Sequence, residues 1–250
     1  TFLFDRVRME IRGDTATTLG VALANVKAVI PDLSQHDKLL EIDGNAAGPM
    51  QEFLRYVALS PVLGWIGHFT EDTRATGPAK LGLKLLLPLS HMPDAKVKGS
   101  LQLMNNEVVL FNDLPAVQSA NGKIEFWERG VNLNGVGGTF VGGPLALSGG
   151  TQRDGAIVIK LAGAIAADGV RKTFPSPAMQ RLSGHLSGSA RYTGAVEVRD
   201  HKVQVTVDST LAGMGLDFPA PLKKPEADQL PLHFAIAGSP AGDGGISRDD

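Results

Sequence analysis

Apolar and polar residues alternate with a period of two through most of this 250-residue chain. Successive side chains of a β-strand point to opposite faces, so this alternation predicts strands with one apolar and one polar face. The pattern is most regular after Lys80. Short polar segments of hairpin length separate the apolar runs at residues 105–106, 128–130 and 199–202. The sequence therefore predicts a mainly β fold, with more than half of the ordered residues in antiparallel strands of one strongly twisted sheet.

The apolar positions of the predicted strands form one candidate surface. They alternate with polar positions such as Lys96, Lys98 and Gln102. The helices that the sequence predicts are too short to cover such a face, and an uncovered apolar face favours an apolar guest. The predicted lining of this groove consists of Leu83, Leu85, Leu87, Leu101, Leu103, Ile124, Phe126, Val131, Leu133, Ile157, Ile159, Leu161, Val196, Val198, Val203, Val205 and Val207.

The first third of the chain is organised differently. One opening strand is predicted from Leu3 to Arg12, and a second at residues 38–43. Apolar residues then recur at helical spacing from Met50 to Val57, between Pro49 and Pro61. We therefore divide the chain into three parts. These are leading strands at 1–45, a segment with one or two short amphipathic helices that packs on or caps the sheet at 46–75, and a repetitive meander, expected as one continuous domain, at 76–250.

A weak internal repeat supports the meander. The pattern Gly-x-apolar-x-apolar, a polar turn and then apolar-x-apolar begins at Gly99, Gly122 and Gly194. Repeats of this kind predict an elongated sheet that is extended by the addition of hairpins.

Composition and motifs disfavour most catalytic and nucleic-acid-binding classes. The chain has no Cys and a formal net charge of -2, which removes thiolate chemistry and gives no basic footprint for nucleic acid. The six histidines lack metal-pair spacing, and the glycines at 135–138 lack the third glycine of a dinucleotide fingerprint. Ser187 misses the nucleophile-elbow spacing by one residue. We expect no cofactor, no metal and no catalytic residues.

Two groups of acidic and imidazole neighbours remain, His68 with Glu71 and Asp72, and His201 with Asp200. Both groups lie in polar turns, so we interpret them as solvated surface. The longest apolar stretch, residues 81–89, is shorter than the roughly 20 residues that a membrane-spanning helix needs.

Residues 114–131, Leu-Pro-Ala-Val-Gln-Ser-Ala-Asn-Gly-Lys-Ile-Glu-Phe-Trp-Glu-Arg-Gly-Val, lead into Gly-Gly-Pro-Leu at 142–145. This stretch resembles the large AsmA-like envelope proteins of the YhdP type. In that family an Asn-Gly-apolar-x-Phe-x-Glu-x-Gly-apolar motif with a Gly-Gly-Pro-like turn recurs along a very long chain. Residues 59–63 and 86–103 are also similar, and the resemblance covers residues 38–235.

The resemblance implies a long, taco-like β-sheet with an apolar trough that carries phospholipid between the inner and outer membranes of diderm bacteria. It implies a periplasmic portion of an inner-membrane-anchored protein, with the anchor outside this fragment. The expected partners are phospholipid acyl chains, adjoining segments of the same long chain, and components of the two membranes.

Other functions stay open on the residues alone. A scaffolding β-solenoid with a dry, self-packed core would show the same alternation. A carbohydrate-active enzyme could use two of the 26 Asp and Glu residues. A membrane β-barrel is disfavoured, because the chain has only two Tyr and two Trp for aromatic girdles.

Overall fold

The computed structural model describes residues 1–18, 21–59, 70–112, 114–199, 202–238, 240–241 and 245–246. Strands make up 62% of the described residues, and the main sheet is antiparallel with fifteen strands. The predicted mainly β antiparallel fold with short helices is confirmed.

Thirteen strands follow one another in the hydrogen-bonding order β1-β2-β3-β4-β6-β7-β8-β9-β10-β11-β12-β13-β15, while β5 pairs with β7 and β14 with β12. Their bounds are β1 Phe2–Asp5, β2 Arg8–Thr18, β3 Val21–Ile30, β4 Leu39–Pro49, β5 Arg74–Thr76, β6 Pro78–Pro88, β7 Lys96–Val109, β8 Val117–Trp127, β9 Gly130–Phe140, β10 Gly143–Thr151, β11 Ile157–Ala166, β12 Leu186–Arg199, β13 Lys202–Ser209, β14 Met214–Leu216 and β15 Leu232–Gly238. A separate pair is formed by β16 Pro240–Ala241 and β17 Gly245–Ile246.

The helix predicted after Pro49 is α1, Met50–Ala58, which buries Met50, Phe53 and Leu54. It is the longest helix of the described residues. Residues 46–49 belong to β4 rather than to the helical segment, because the ladder between β4 and β6 continues to Pro49 opposite Pro78. The predicted helix end at Pro61 lies outside the described residues.

Two further helices, α2 Ala167–Thr173 and α3 Pro177–Gly184, stand where the sequence predicted continuous meander. The N-terminus of α3 carries a recognisable signal, because the Ser176 hydroxyl accepts a hydrogen bond from Met179 N at 3.4 Å and Pro177 follows it. Arg171 of α2 donates to the carbonyls of Ser183 and Leu186, at 2.9 and 3.1 Å. The helices are thus joined to each other and to the start of β12 by a side chain whose partners are distant in sequence.

The single opening strand predicted from Leu3 to Arg12 is two strands. The chain turns at Arg6 and Val7, and Asp5 pairs with Arg8. Arg6 adopts a φ of 52°, the left-handed conformation that tight hairpins require. No Gly or Asn marks the turn, so the sequence contains no signal for it.

The predicted hairpin tip at residues 105–106 is also wrong. Strand β7 continues through both residues to Val109. Asn105 takes a φ of 57° within the strand, and the Asn106 side chain is fully buried. The tip predicted at 128–130 is confirmed at residues 128–129, between β8 and β9. At 199–202, Arg199 pairs with Lys202 across a tip whose two residues lie outside the described ones.

Contacts divide the chain into two compact units. Unit 1 comprises Thr1–Asn112 with Asn121–Asn132, and unit 2 comprises Asp113–Ala120 with Leu133–Asp250. The division of the sequence at 1–45, 46–75 and 76–250 stays a prediction.

Candidate functional site

The strand register of unit 1 places apolar residues in rows on one face of the sheet, a row being a set of residues directly paired on neighbouring strands. Paired residues of antiparallel strands share a face. One row crosses six strands and consists of Phe2, Ile11, Ala28, Ile42, Leu85 and Val97. We call this side the apolar face of unit 1.

The predicted groove residues of β6 and β7 lie on this face. Leu83, Leu85 and Leu87 alternate along β6, while Leu101 pairs with Leu81 and Leu103 with Ala79. Phe126 of β8 joins them, because its ring lies against Gly99, the partner of Leu83. Ile124 occupies the equivalent position two residues earlier on β8, and Val131 lies at the start of β9.

Unit 2 has an apolar face of its own. One row consists of Gly149, Ile159, Val196, Val205 and Ile236. The neighbouring rows on the same face contain Leu147, Leu161, Gly194, Val207 and Phe234, and Ile157, Val198 and Val203. All eight predicted groove residues of β11, β12 and β13 therefore share one face. Leu133 lies on β9.

Burial of these residues is incomplete. Among the seventeen predicted groove residues Leu103 is buried, at 5% exposure, and the other sixteen are half-buried. A self-packed core buries its aliphatic side chains almost fully. The described part of each unit therefore leaves its apolar face partly accessible. Leu103 and its cross-strand partner Ala79 are both buried.

The opposite face of each unit carries charged and polar residues. In unit 1 a row of Arg12, Lys27, Asp43, Lys84 and Lys98 crosses five strands. Lys84 Nζ lies 2.9 Å from Asp43 Oδ2. In unit 2 the corresponding side carries Ser148, Lys160, Ala195 and Thr206 in one row. Apolar residues also occur on this side, Val29 and Leu86 in unit 1 and Val158 in unit 2. The charged residues of these rows nevertheless lie opposite the apolar rows.

Glu10 forms an ion cluster on the polar side of unit 1. Its carboxylate is 2.8 Å from Arg8 Nη2, is hydrogen-bonded by Arg12 Nε, and lies 3.9 Å from Lys27 Nζ. The side chain is only 4% exposed, because these cations cover it. The hydrogen bond from Arg8, followed in size by that from Arg12, lowers the pKa of Glu10 from 4.5 to about 2.

Replacement of this carboxylate should therefore have a pH-dependent effect. Since the pKa of Glu10 is lower in the folded protein, its contribution is complete above about 4.5 and disappears as the pH falls towards 2. We expect Glu10→Gln to lower the free energy of unfolding at pH 7 and to approach the unmodified protein at low pH. Denaturant titrations between pH 7 and pH 2 measure this, with exposed Glu41→Gln as the control. A difference that stays constant over this range would contradict the prediction.

Tyr192 on β12 carries a buried hydroxyl on the apolar face of unit 2. The residue is 8% exposed, and its hydroxyl has no hydrogen-bond partner in the described part of the chain. Burial raises the pKa of Tyr192. An unsatisfied buried hydroxyl is destabilising.

Tyr192→Phe should remove this penalty while the ring keeps its packing, and we expect it to raise the free energy of unfolding by about 1 kcal/mol. Thermal or denaturant unfolding measures the change. Tyr56→Phe, at a position that is 54% exposed, serves as the control and should be nearly neutral. A destabilised Tyr192→Phe variant would show that the hydroxyl has a partner in solution.

The polar groups near Ser187 do not form a nucleophilic triad. Ser187 lies on strand β12, and its hydroxyl donates to Glu226 Oε1 at 2.6 Å. The nearby His185 ring instead contacts Phe218, with ring centroids 5.3 Å apart. Without an imidazole between serine and carboxylate, the arrangement lacks the general base of such a site.

The histidine neighbours singled out in the sequence, His68, His201 and Asp200, lie outside the described residues. The structure brings together one pair that the sequence analysis missed, His233 Nδ1 and Asp208 Oδ1, at 2.6 Å. These two residues face each other across β13 and β15 and are both exposed. Their separation of 25 positions left no local signal.

No group of three or more His, Asp or Glu residues that could hold a metal occurs among the described residues. None of the helices that the structure describes is long and apolar enough to cross a membrane.

Comparison with known proteins identifies the family. The family model described as YhdP protein matches residues 1–247. The chain is 24% identical, over 226 residues, to the intermembrane phospholipid transporter YhdP of Escherichia coli (strain K12). The matched region covers 88% of this chain and 17% of that relative, so the chain spans a small part of the relative's length. No solved structure matches. The chain belongs to the YhdP protein family, as the motif at residues 114–131 predicted.

Proposed function

We propose that this chain is a non-enzymatic segment of a phospholipid transport protein and that the apolar face of each unit holds acyl chains. The observation that carries the proposal is the half-burial of sixteen of the seventeen predicted groove residues. Support also comes from the relative in Escherichia coli, which is named an intermembrane phospholipid transporter. A dry scaffold would require those residues to be covered.

Burial of an acyl chain provides free energy for binding without any charged contact. Each methylene moved out of water contributes about 0.8 kcal/mol, so half-burial of a chain of about 16 carbons contributes on the order of 6 kcal/mol. The lipid can therefore be held by its tail alone, and its headgroup can stay in water. A face of this kind binds lipids of different headgroups, which suits transport along a surface.

The apolar rows reach the end strands of the sheet. Phe2 and Phe4 on β1 are 58% and 60% exposed, and Phe234 on β15 is 48% exposed. In the order of the described strands, β1 and β15 are the end members, and such edges present unpaired backbone groups. We propose that adjoining segments of the same long chain pair with these edges in the periplasm, and that inner- and outer-membrane components act at the ends of the full protein.

Photo-crosslinking from the two faces of β6 tests the proposal. In cells that produce the full-length protein, p-benzoylphenylalanine is placed at Leu85 on the apolar face or at the adjacent Lys84 on the polar face. We expect lipid adducts from position 85 and almost none from position 84, measured by mass spectrometry of the purified protein.

The outcomes separate the proposed function from the alternatives. Equal adduct yields from both faces, or none from either, would contradict an acyl-binding face and favour a dry scaffold. Adducts with a glycan rather than a lipid would favour a carbohydrate-active protein.

A further inference from the structure

The tip of the Phe126 ring lies against Gly99 in unit 1. If Gly99 had a Cβ atom, that atom would clash with Cζ of the ring and would be 2.7 and 2.9 Å from Cε2 and Cε1. Real Cβ atoms do not approach other atoms so closely. The ring of Phe126 therefore occupies the space of a missing side chain, and its half-buried outer surface forms part of the apolar face.

The backbone at residue 99 does not require glycine. The residues with a positive φ include nine glycines, and Gly99 is not among them. Because any L-residue could adopt this backbone conformation, the absence of a side chain serves the ring of Phe126. Gly82, on the neighbouring strand and the opposite face, differs, since a Cβ there would meet only Asn45 and Ser100 oxygens at 3.5 Å, an ordinary contact.

Unit 2 contains a related arrangement. Tyr192 lies against Gly163, its partner across β11 and β12, and a Cβ on Gly163 would be 2.6 and 2.7 Å from the Tyr192 hydroxyl oxygen and Cζ. That Cβ would also be 2.5 Å from the carbonyl oxygen of Pro144, so a backbone group adds to the requirement for glycine there. Gly163 also lacks a positive φ. A glycine without a positive φ thus accommodates an aromatic ring on each apolar face, and Gly130 accommodates the Trp127 ring at the tip between β8 and β9.

We propose that Phe126, seated against Gly99, sets the clearance above the apolar face of unit 1, that is, the height of free space over it, and so determines how much acyl chain this face accommodates. The inference rests on the proposed function. A ring that lies on the sheet contributes apolar surface while it leaves room for the guest. A ring that is displaced by a side chain at position 99 projects away from the sheet, into the volume that the acyl chain would occupy.

The test uses the full-length protein with p-benzoylphenylalanine at Leu101, on the same face and two residues from Gly99. Gly99→Ala should lower the yield of phospholipid adduct roughly tenfold, the effect of displacing about two methylene groups of the guest. Gly82→Ala is the matched control and should leave the yield unchanged. Resistance to proteolysis establishes that each variant is folded.

A double variant separates clearance from packing. Phe126→Ala added to Gly99→Ala removes the displaced ring, so its adduct yield should rise above that of Gly99→Ala alone, even where the melting temperature falls further. A ring that matters only for packing would instead lose adduct and stability together, which would overturn the inference.

An adduct yield in a folded Gly99→Ala variant as high as that of the unmodified protein would also overturn the role of Phe126 in clearance. The proposal of an acyl-binding face would remain unaffected by that result. Absence of any adduct at Leu101 in the otherwise unmodified protein would overturn the proposed function, and this inference with it.

Discussion

An aspartate in place of Val205 is expected to block lipid binding to unit 2. Val205 is half-buried on the apolar face, paired with Val196 and Ile236. A carboxylate among these side chains has no cationic partner, so it either stays hydrated or binds a proton, and both cost free energy. With p-benzoylphenylalanine at Leu161, we expect the lipid adduct of the full-length protein to fall at least tenfold.

The adjacent Thr206 is the matched control, because it faces the other side and pairs with Ala195 and Ala235. Thr206→Asp should leave the adduct yield nearly unchanged. Gln204 is less suitable, since Glu197 lies directly opposite and would repel a second carboxylate. Normal lipid adduct and full complementation by a folded Val205→Asp variant would contradict the acyl-binding face.

The largest loss of stability is expected at Asn106. Its side chain is fully buried and makes three hydrogen bonds to the backbone. Nδ2 donates to the carbonyls of Thr76 and Pro78, at 2.9 and 3.0 Å, and Oδ1 accepts from Met104 N at 2.6 Å. Asn106→Leu leaves these three backbone groups without partners, so we expect a loss of about 3–5 kcal/mol in the free energy of unfolding.

Denaturant unfolding of the full-length protein, followed by the accessibility of β7 to proteases, measures this effect. The control is Glu107→Ala, at the next position, where the side chain is exposed and the expected change is about 0.5 kcal/mol or less. A loss below 1 kcal/mol for Asn106→Leu would show that water replaces the three hydrogen bonds.

Leu103 illustrates how the structure changes the choice of a test residue. The sequence placed it with the other groove residues, and the register confirms its face. Because the Leu103 side chain is only 5% exposed, a charge at this position would test folding rather than lipid contact. Val205 keeps the two effects separate, because its side chain is only half-buried.

Alternation by itself determined which residues share a face, because a strand directs successive side chains to opposite sides regardless of its neighbours. The division of Leu83 and Leu85 from Lys84, and of Val203 and Val205 from Gln204, follows from this local rule. The motif at residues 114–131 likewise identified the family from contiguous residues.

Only the tertiary structure determined the contacts and hydrogen bonds between residues that are distant in the sequence. The contact of Phe126 with Gly99 spans 27 positions, and the hydrogen bond of Asn106 to Thr76 spans 30. Helix α2 is joined to α3 and β12 through Arg171. The turn at Arg6 requires a positive φ at a residue that carries no turn signal. Local periodicity reports which way a side chain points, whereas burial and clearance depend on which strand lies beside it, and that is set by the register of the whole sheet.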